Sequence, residues 1–245
     1  LSVAVSRRVL LTVAPLAVLG ALAAPLGGCP GDDPIASNDD GGAEIDATST
    51  CATGYLGDPT KDAEIELRAL RADGKDVPLA AGADLAIILP PQGGRVAFLG
   101  VRARNVDGCA MKIIGALRDP ITQGVMLDGR TVNLTREADG WGTTGRGANI
   151  TNIEDSQAIG DYSNVPLCPN SWAKQDVFDK EFEGEVQITD RRGKKASKKV
   201  KVTPRCAEPG AKETACRCLC KNGYVLGETC GEDAGAPDAS SDGAR

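Results

Sequence analysis

The 245-residue chain carries 28 lysines and arginines against 34 acids and no histidine, for a formal net charge of −6 at neutral pH. The missing histidine excludes histidine-dependent triads, imidazole zinc ligation and histidine general-base chemistry, and the acidic balance opposes general nucleic-acid binding. With two tryptophans, three tyrosines and three phenylalanines, any core must rest on Val, Ile, Leu and Ala.

At the N-terminus Arg7 and Arg8 precede an almost wholly apolar run from Val9 to Leu26. The run is long enough to span a bilayer. It ends, however, in the small residues Gly27 and Gly28, followed by Cys29, Pro30 and an acidic stretch. Leu26-Gly27-Gly28-Cys29 resembles the lipobox signal peptide of bacterial lipoproteins. That resemblance implies cleavage before Cys29, a lipid on its sulfur, and a domain on the extracytoplasmic side of a membrane of the bacterial cell envelope. The stretch Ser6-Arg7-Arg8-Val9-Leu10-Leu11 also looks like a twin-arginine export signal. The general secretory route is preferred, because a chain that needs disulfides oxidises outside the cytoplasm. Loss of residues 1–28 would remove two arginines and no acid, leaving 26 basic against 34 acidic residues, net −8.

Residues 29–50 are rich in Gly, Asp, Ser, Ala and Thr and read as a flexible acidic tether. Residues 231–245 are similar and read as a disordered acidic tail. Between them the hydrophobic period is two. Ile65, Leu67 and Ala69 alternate with Glu64, Glu66 and Arg68. Ala97, Leu99, Val101 and Ala103 form the next face, Asn105–Gly108 a turn, and Met111, Ile113, Gly115 and Leu117 a further strand. Asp128-Gly129, flanked by Val125–Leu127 and Val132–Leu134, predicts a hairpin turn. Gly140–Gly147 reads as a long loop, and a turn of helix is expected only around Glu154–Ile159. At least seven short strands predict an all-β, antiparallel two-sheet sandwich of immunoglobulin-like type over residues 51–206.

The last strand pair has the plainest pattern. Phe182, Gly184, Val186 and Ile188 lie on one face, with Glu181, Glu183, Glu185 and Gln187 on the other. A hairpin would set these acids opposite Lys199 and Lys201, where cross-strand charge pairing accounts for much of the basic run. The connecting residues Arg191, Arg192, Lys194 and Lys195 remain the best surface for touching anionic lipid, glycan or a partner protein.

Setting Cys29 aside, eight cysteines remain: Cys51, Cys109, Cys168, Cys206, Cys216, Cys218, Cys220 and Cys230. An even number permits four bridges among about 105 pairings. The turns beside Cys109 and Cys168 predict a bond between those two. Cys51–Cys206 would then join the ends of the sandwich, and the last four cysteines would close two bridges within a disulfide-rich C-terminal appendage, residues 207–230. Cys218-Leu219-Cys220-Lys221-Asn222-Gly223-Tyr224 with Cys230 resembles the second half of an EGF-like module, and that resemblance implies a Cys220–Cys230 bridge. Zinc on Cys216, Cys218, Cys220 and Cys230 is the rival reading, weakened by poor chelate spacing.

No nucleophile elbow, phosphate loop or dinucleotide fingerprint is present. Asp176 and Asp179, or Glu154 and Asp155, could bind calcium or serve carboxylate chemistry, although surface acids are the commoner case. Asn133 and Asn149 fit the N-glycosylation pattern, which is expected to be silent in a bacterium. The expectation is a non-enzymatic protein without catalytic residues, cofactor or metal, held to a membrane through an N-terminal lipid and offering loops to an envelope protein or glycan. A carbohydrate-binding or carbohydrate-active protein is the alternative, with Trp141, Tyr162 and Trp172 as its aromatic face.

Overall fold

Residues 51–90, 93–145 and 159–231 are described in a computed structural model of the chain. The expected signal peptide, Cys29, the expected tether, Asn149, Glu154, Asp155 and all of the expected acidic tail except Gly231 lie outside them. The strands in chain order are β1 (Tyr55–Leu56), β2 (Glu64–Leu70), β3 (Asp76–Pro78), β4 (Ala83–Ile87), β5 (Arg95–Arg104), β6 (Val106–Asp107), β7 (Met111–Arg118), β8 (Val125–Val132), β9 (Thr135–Arg136), β10 (Gly142–Thr143), β11 (Ser163–Cys168), β12 (Phe182–Thr189) and β13 (Lys195–Cys206). One helix, α1 (Ala211–Cys220), follows them.

The strands build the all-β sandwich that the alternation predicts. One sheet runs β3-β2-β5-β10-β9 with β11 also paired to β5, and the other runs β4-β13-β12-β7-β8. β5 is the hub of the first sheet. Its residues 99–104 pair with β2 along one edge, while β11 and β10 share the other. The second sheet is antiparallel except for β4, which runs parallel to β13 from Ala83↔Val202 to Ile87↔Cys206. Parallel pairing needs a long crossover, which the hundred or so intervening residues provide. An Ile88↔Val96 bridge connects the end of β4 to the first sheet.

The inward faces are those expected. Leu67, Ala97, Leu99, Val101 and Ala103 meet Met111, Ile113, Leu117, Phe182, Val186, Ile188 and Val202 in one buried cluster. β5 is buried on its second face as well, where Val96 and Phe98 pack with Leu70, Ile88, Ile159 and Tyr162. Strands covered on both sides lose strict alternation, and this layer was not apparent in the sequence. Gly115 marks a close approach, because a Cβ there would lie 2.6 Å from the Ser163 hydroxyl. That hydroxyl accepts from Gly115 N and donates to Asp128 O.

Three local expectations are corrected. Asp128-Gly129 does not turn, since β8 runs through it with Gly129 opposite Ile114. Eight consecutive pairs with β7, and the Asn164 N–H on the Asp128 carboxylate, hold the pair extended. Nor is Asn105–Gly108 a simple turn. Asn105 takes φ 59°, and β6 then pairs with β1. The C-terminal segment begins as a helix over Ala211–Cys220, with Ala215, Cys216 and Cys220 buried and a Glu213–Arg217 pair one turn apart at 3.0 Å. The Cys218-Leu219-Cys220 part of the EGF-like pattern is therefore helical, before turns and loop carry the chain to Cys230.

The bridges are Cys51–Cys109, Cys168–Cys220, Cys206–Cys216 and Cys218–Cys230. The expected Cys109–Cys168, Cys51–Cys206 and Cys220–Cys230 bonds are therefore absent, and topology explains why. The pairs Tyr55↔Asp107 and Leu56↔Val106 carry Cys51 alongside Cys109. Helical spacing puts Cys216 and Cys220 on one face, toward β13 and β11, and leaves Cys218 to find Cys230. α1 is thus stapled to the sandwich through Cys216 and Cys220, while residues 221–229 stay largely exposed and Cys218–Cys230 closes within the C-terminal segment. Among the described residues no helix is long and apolar enough to cross a membrane.

Candidate contact surface at the tip of the β12–β13 hairpin

The strands leading to the tip are held by the charge ladder that the sequence predicts. Glu185 lies opposite Lys199 and Glu183 opposite Lys201. Lys199 Nζ reaches Glu183 at 2.8 Å and Glu185 at 3.6 Å, and Lys201 Nζ reaches Glu181 at 2.8 Å. These lysines are spent on the sheet. The tip itself turns through Gly193 at φ 83°, a conformation that suits glycine. Asp190 N donates to Lys194 O and Gly193 N to Asp190 O, both at 2.9 Å.

Beneath the tip lie two buried acids. Asp190 is 3% exposed, and its carboxylate accepts from the backbone N–H groups of Arg192, Lys194 and Asp107 at 2.8–2.9 Å. Asp107 is fully buried. It accepts from Cys109 N at 3.1 Å on one oxygen, and from Arg191 Nε at 2.7 Å and Arg192 Nε at 3.2 Å on the other. Burial alone would push the Asp107 carboxyl up, but Arg191, the Cys109 N–H and Arg192 outweigh it and hold the group below the ordinary aspartate range.

The four expected contact residues therefore divide by role. Lys194 Nζ donates to Lys61 O at 2.6 Å, Tyr55 OH at 3.1 Å and Pro59 O at 3.2 Å, so it pins the N-terminal loop. Arg191 and Arg192 are anchored through Nε, yet their side chains are 54% and 58% exposed. The Arg192 guanidinium also sits 4.9 Å from the Tyr55 ring centroid. Lys195 is exposed at the start of β13. From there a shallow depression of about 640 Å³ extends over the outer face of the second sheet, lined by Lys112, Ile114, Gln187, Thr189, Lys195 and Ser197 among others. Asp107, which orders the tip, was read only as part of a turn.

The aromatics do not make one stacking face. Tyr162 is buried. Trp172 donates from Nε1 to Leu167 O at 3.0 Å and packs on Phe182 with ring centroids 5.6 Å apart. Trp141 is half-buried, with the Arg102 and Arg104 guanidiniums 4.5 and 4.7 Å from its ring centroid.

The candidate calcium carboxylates are likewise engaged. Asp179 pairs with Arg205 at 2.5 Å and Arg217 at 2.8 Å, which hold its pKa down, and Asp176 accepts from Asn222 N at 2.8 Å. Asn133 accepts from Ala110 N at 2.8 Å, beside the Met111↔Val132 end of the β7–β8 pair. The sulfurs of Cys206, Cys216 and Cys220 lie within 4.8 Å of one another, but each is committed to a disulfide and so offers no thiolate to a metal in this form. No family model, curated protein or solved structure matches this chain.

Proposed function

We propose that this protein is a lipid-anchored, non-enzymatic component of the bacterial cell envelope, with its sandwich displayed on the extracytoplasmic side as a scaffold for contacts. The observation that carries the reading is Leu26-Gly27-Gly28-Cys29 between an apolar run and an acidic stretch. Cysteine accounting supports it. All eight cysteines from Cys51 onward pair with one another, so Cys29 has no partner left within the chain. Four disulfides also favour an oxidising compartment. The polar pairing of Asp176, Asp179 and the Asp107–Arg cluster gives these groups structural work rather than an open cleft. The test is detergent phase partitioning of the wild-type chain and of Cys29→Ala in a bacterial host. Wild type should enter the detergent phase and the variant the aqueous phase. An unchanged detergent-phase fraction for the variant would refute the anchor.

A further inference from the structure

We propose that the paired guanidiniums of Arg191 and Arg192 form a phosphate-binding fork that docks this end of the domain on anionic lipid headgroups. The inference rests on the lipid-anchor reading and names the surface by which the anchored domain meets the bilayer.

The first support is how the two side chains are held. Both Nε atoms bind the same buried Asp107 oxygen. Among the described residues, neither guanidinium makes a hydrogen bond through its Nη groups. The acids that fix the pair are inside, at 0% and 3% exposure, whereas the cations are outside. Arginine recognises phosphate oxygens through just such outward N–H pairs, and a guanidinium already fixed loses less entropy on binding. Lys195 and Lys112, both exposed, continue the basic edge across neighbouring strands; Lys112 pairs with Thr189, and Thr189 with Lys195.

The second support is position. Asp107 is two residues from Cys109, and Cys109 is bonded to Cys51, where the described chain begins. If the Gly-, Asp- and Ser-rich stretch from Cys29 to Cys51 behaves as the flexible tether its composition predicts, its root-mean-square span is roughly 25 Å. A lipid on Cys29 would therefore keep the Cys51 end, and the tip beside it, near the headgroups. A chain of net charge −8 has no general attraction to an anionic surface, so binding to one would report a local site.

The experiment uses residues 29–245 carrying Cys29→Ala, which removes the anchor and leaves the compact unit that begins at Thr48. Sedimentation is measured with vesicles of phosphatidylcholine alone and of phosphatidylcholine mixed equally with phosphatidylglycerol. Binding should require the anionic lipid, and R191Q/R192Q should weaken it roughly 10- to 30-fold. K198Q/K201Q, with the same loss of charge away from the tip, should change it less than about twofold. R191K/R192K keeps charge over Asp107 and guards against misfolding; it should bind several-fold more weakly than wild type, because lysine lacks the fork. Equal binding to both vesicle types, or equal losses in the tip and control variants, would overturn the proposal. So would tight binding of inorganic phosphate without vesicle binding, which would make the site one for a soluble anion. Partitioning of the Cys29 variant in detergent is independent of all these outcomes, so failure of the fork and failure of the anchor are separable.

Discussion

Arg95 and Glu208 show what single residues do in this fold. Arg95 is 1% exposed; its Nη1 meets Glu208 Oε2 at 2.5 Å and its Nη2 donates to Lys212 O at 2.9 Å. Glu208 also accepts from Leu89 N, so one carboxylate joins β5, the end of β4 and the approach to α1. Glu208→Ala strands a buried guanidinium and should cost about 3–5 kcal/mol in urea denaturation. Arg95→Met/Glu208→Leu should recover much of that loss, since an apolar pair carries no desolvation penalty. The acids divide by sign. Asp119, buried but accepting from Ile121 N, Lys174 N and Thr122, has a folded pKa below its ordinary value, as Asp107 does. Their stabilisation is present above the unfolded pKa and is lost as pH falls through the folded one, roughly from pH 4 downward. Asp76 runs the other way. Its burial outweighs Arg68, so its contribution is lost as pH rises through the folded pKa. Thermal melts against pH should therefore show acid destabilisation that Asp107→Asn reduces. An unchanged acid slope in that variant would mean that Asp107 is not held ionised by the two arginines.

At the scale of elements, α1 decides how the C-terminal segment behaves. It places Cys216 and Cys220 in the main core and bonds them to Cys206 and Cys168. Deleting residues 207–245 should therefore unfold the protein or lower its melting temperature sharply, because the buried Cys168 and the half-buried Cys206 lose their partners and Arg95 loses Glu208. A truncated chain melting within a few degrees of the full chain would show the helix to be dispensable. This element was hidden in the sequence because its core-facing stripe, Ala215, Cys216, Leu219 and Cys220, is short and half cysteine, so its helical spacing reads as a disulfide pattern rather than as an apolar face. β12 and β13 were legible because Phe182, Val186 and Ile188 alternate cleanly with charged neighbours. Asp128-Gly129 misled because a turn-forming pair can stay extended when the ladder on both sides outweighs its local preference. At the candidate surface, Arg191 and Arg192 were visible as a charge run. The carboxylate that orients them is 84 residues away in sequence, and nothing local to Asp107 announces it.

For the whole molecule, the four bridges allow chain entropy to be weighed against core packing. Cys51–Cys109 closes 58 residues and Cys168–Cys220 closes 52, against 10 for Cys206–Cys216 and 12 for Cys218–Cys230. Loop entropy alone gives about 4 kcal/mol for each long bridge and about 3 kcal/mol for each short one, with Cys51–Cys109 marginally first. Packing predicts a different order. Cys168 and Cys220 both belong to the main core cluster, so replacing them opens a void as well as a loop. Cys51–Cys109 clasps only the two-stranded β1–β6 sheet outside the sandwich ladders, and Cys218–Cys230 closes a loop whose Val225 and Leu226 are exposed. Cys168→Ala/Cys220→Ala should therefore lower the melting temperature most, Cys51→Ala/Cys109→Ala less, and Cys218→Ala/Cys230→Ala least. With about 2–4 °C per kcal/mol for a domain of this size, the Cys51–Cys109 loss should be no more than roughly 8–16 °C. If Cys51→Ala/Cys109→Ala proves more damaging than Cys168→Ala/Cys220→Ala, the N-terminal clasp belongs to the cooperative core. The tip at Arg191 and Arg192 would then be ordered by the fold as a whole rather than by Asp107 and its immediate partners.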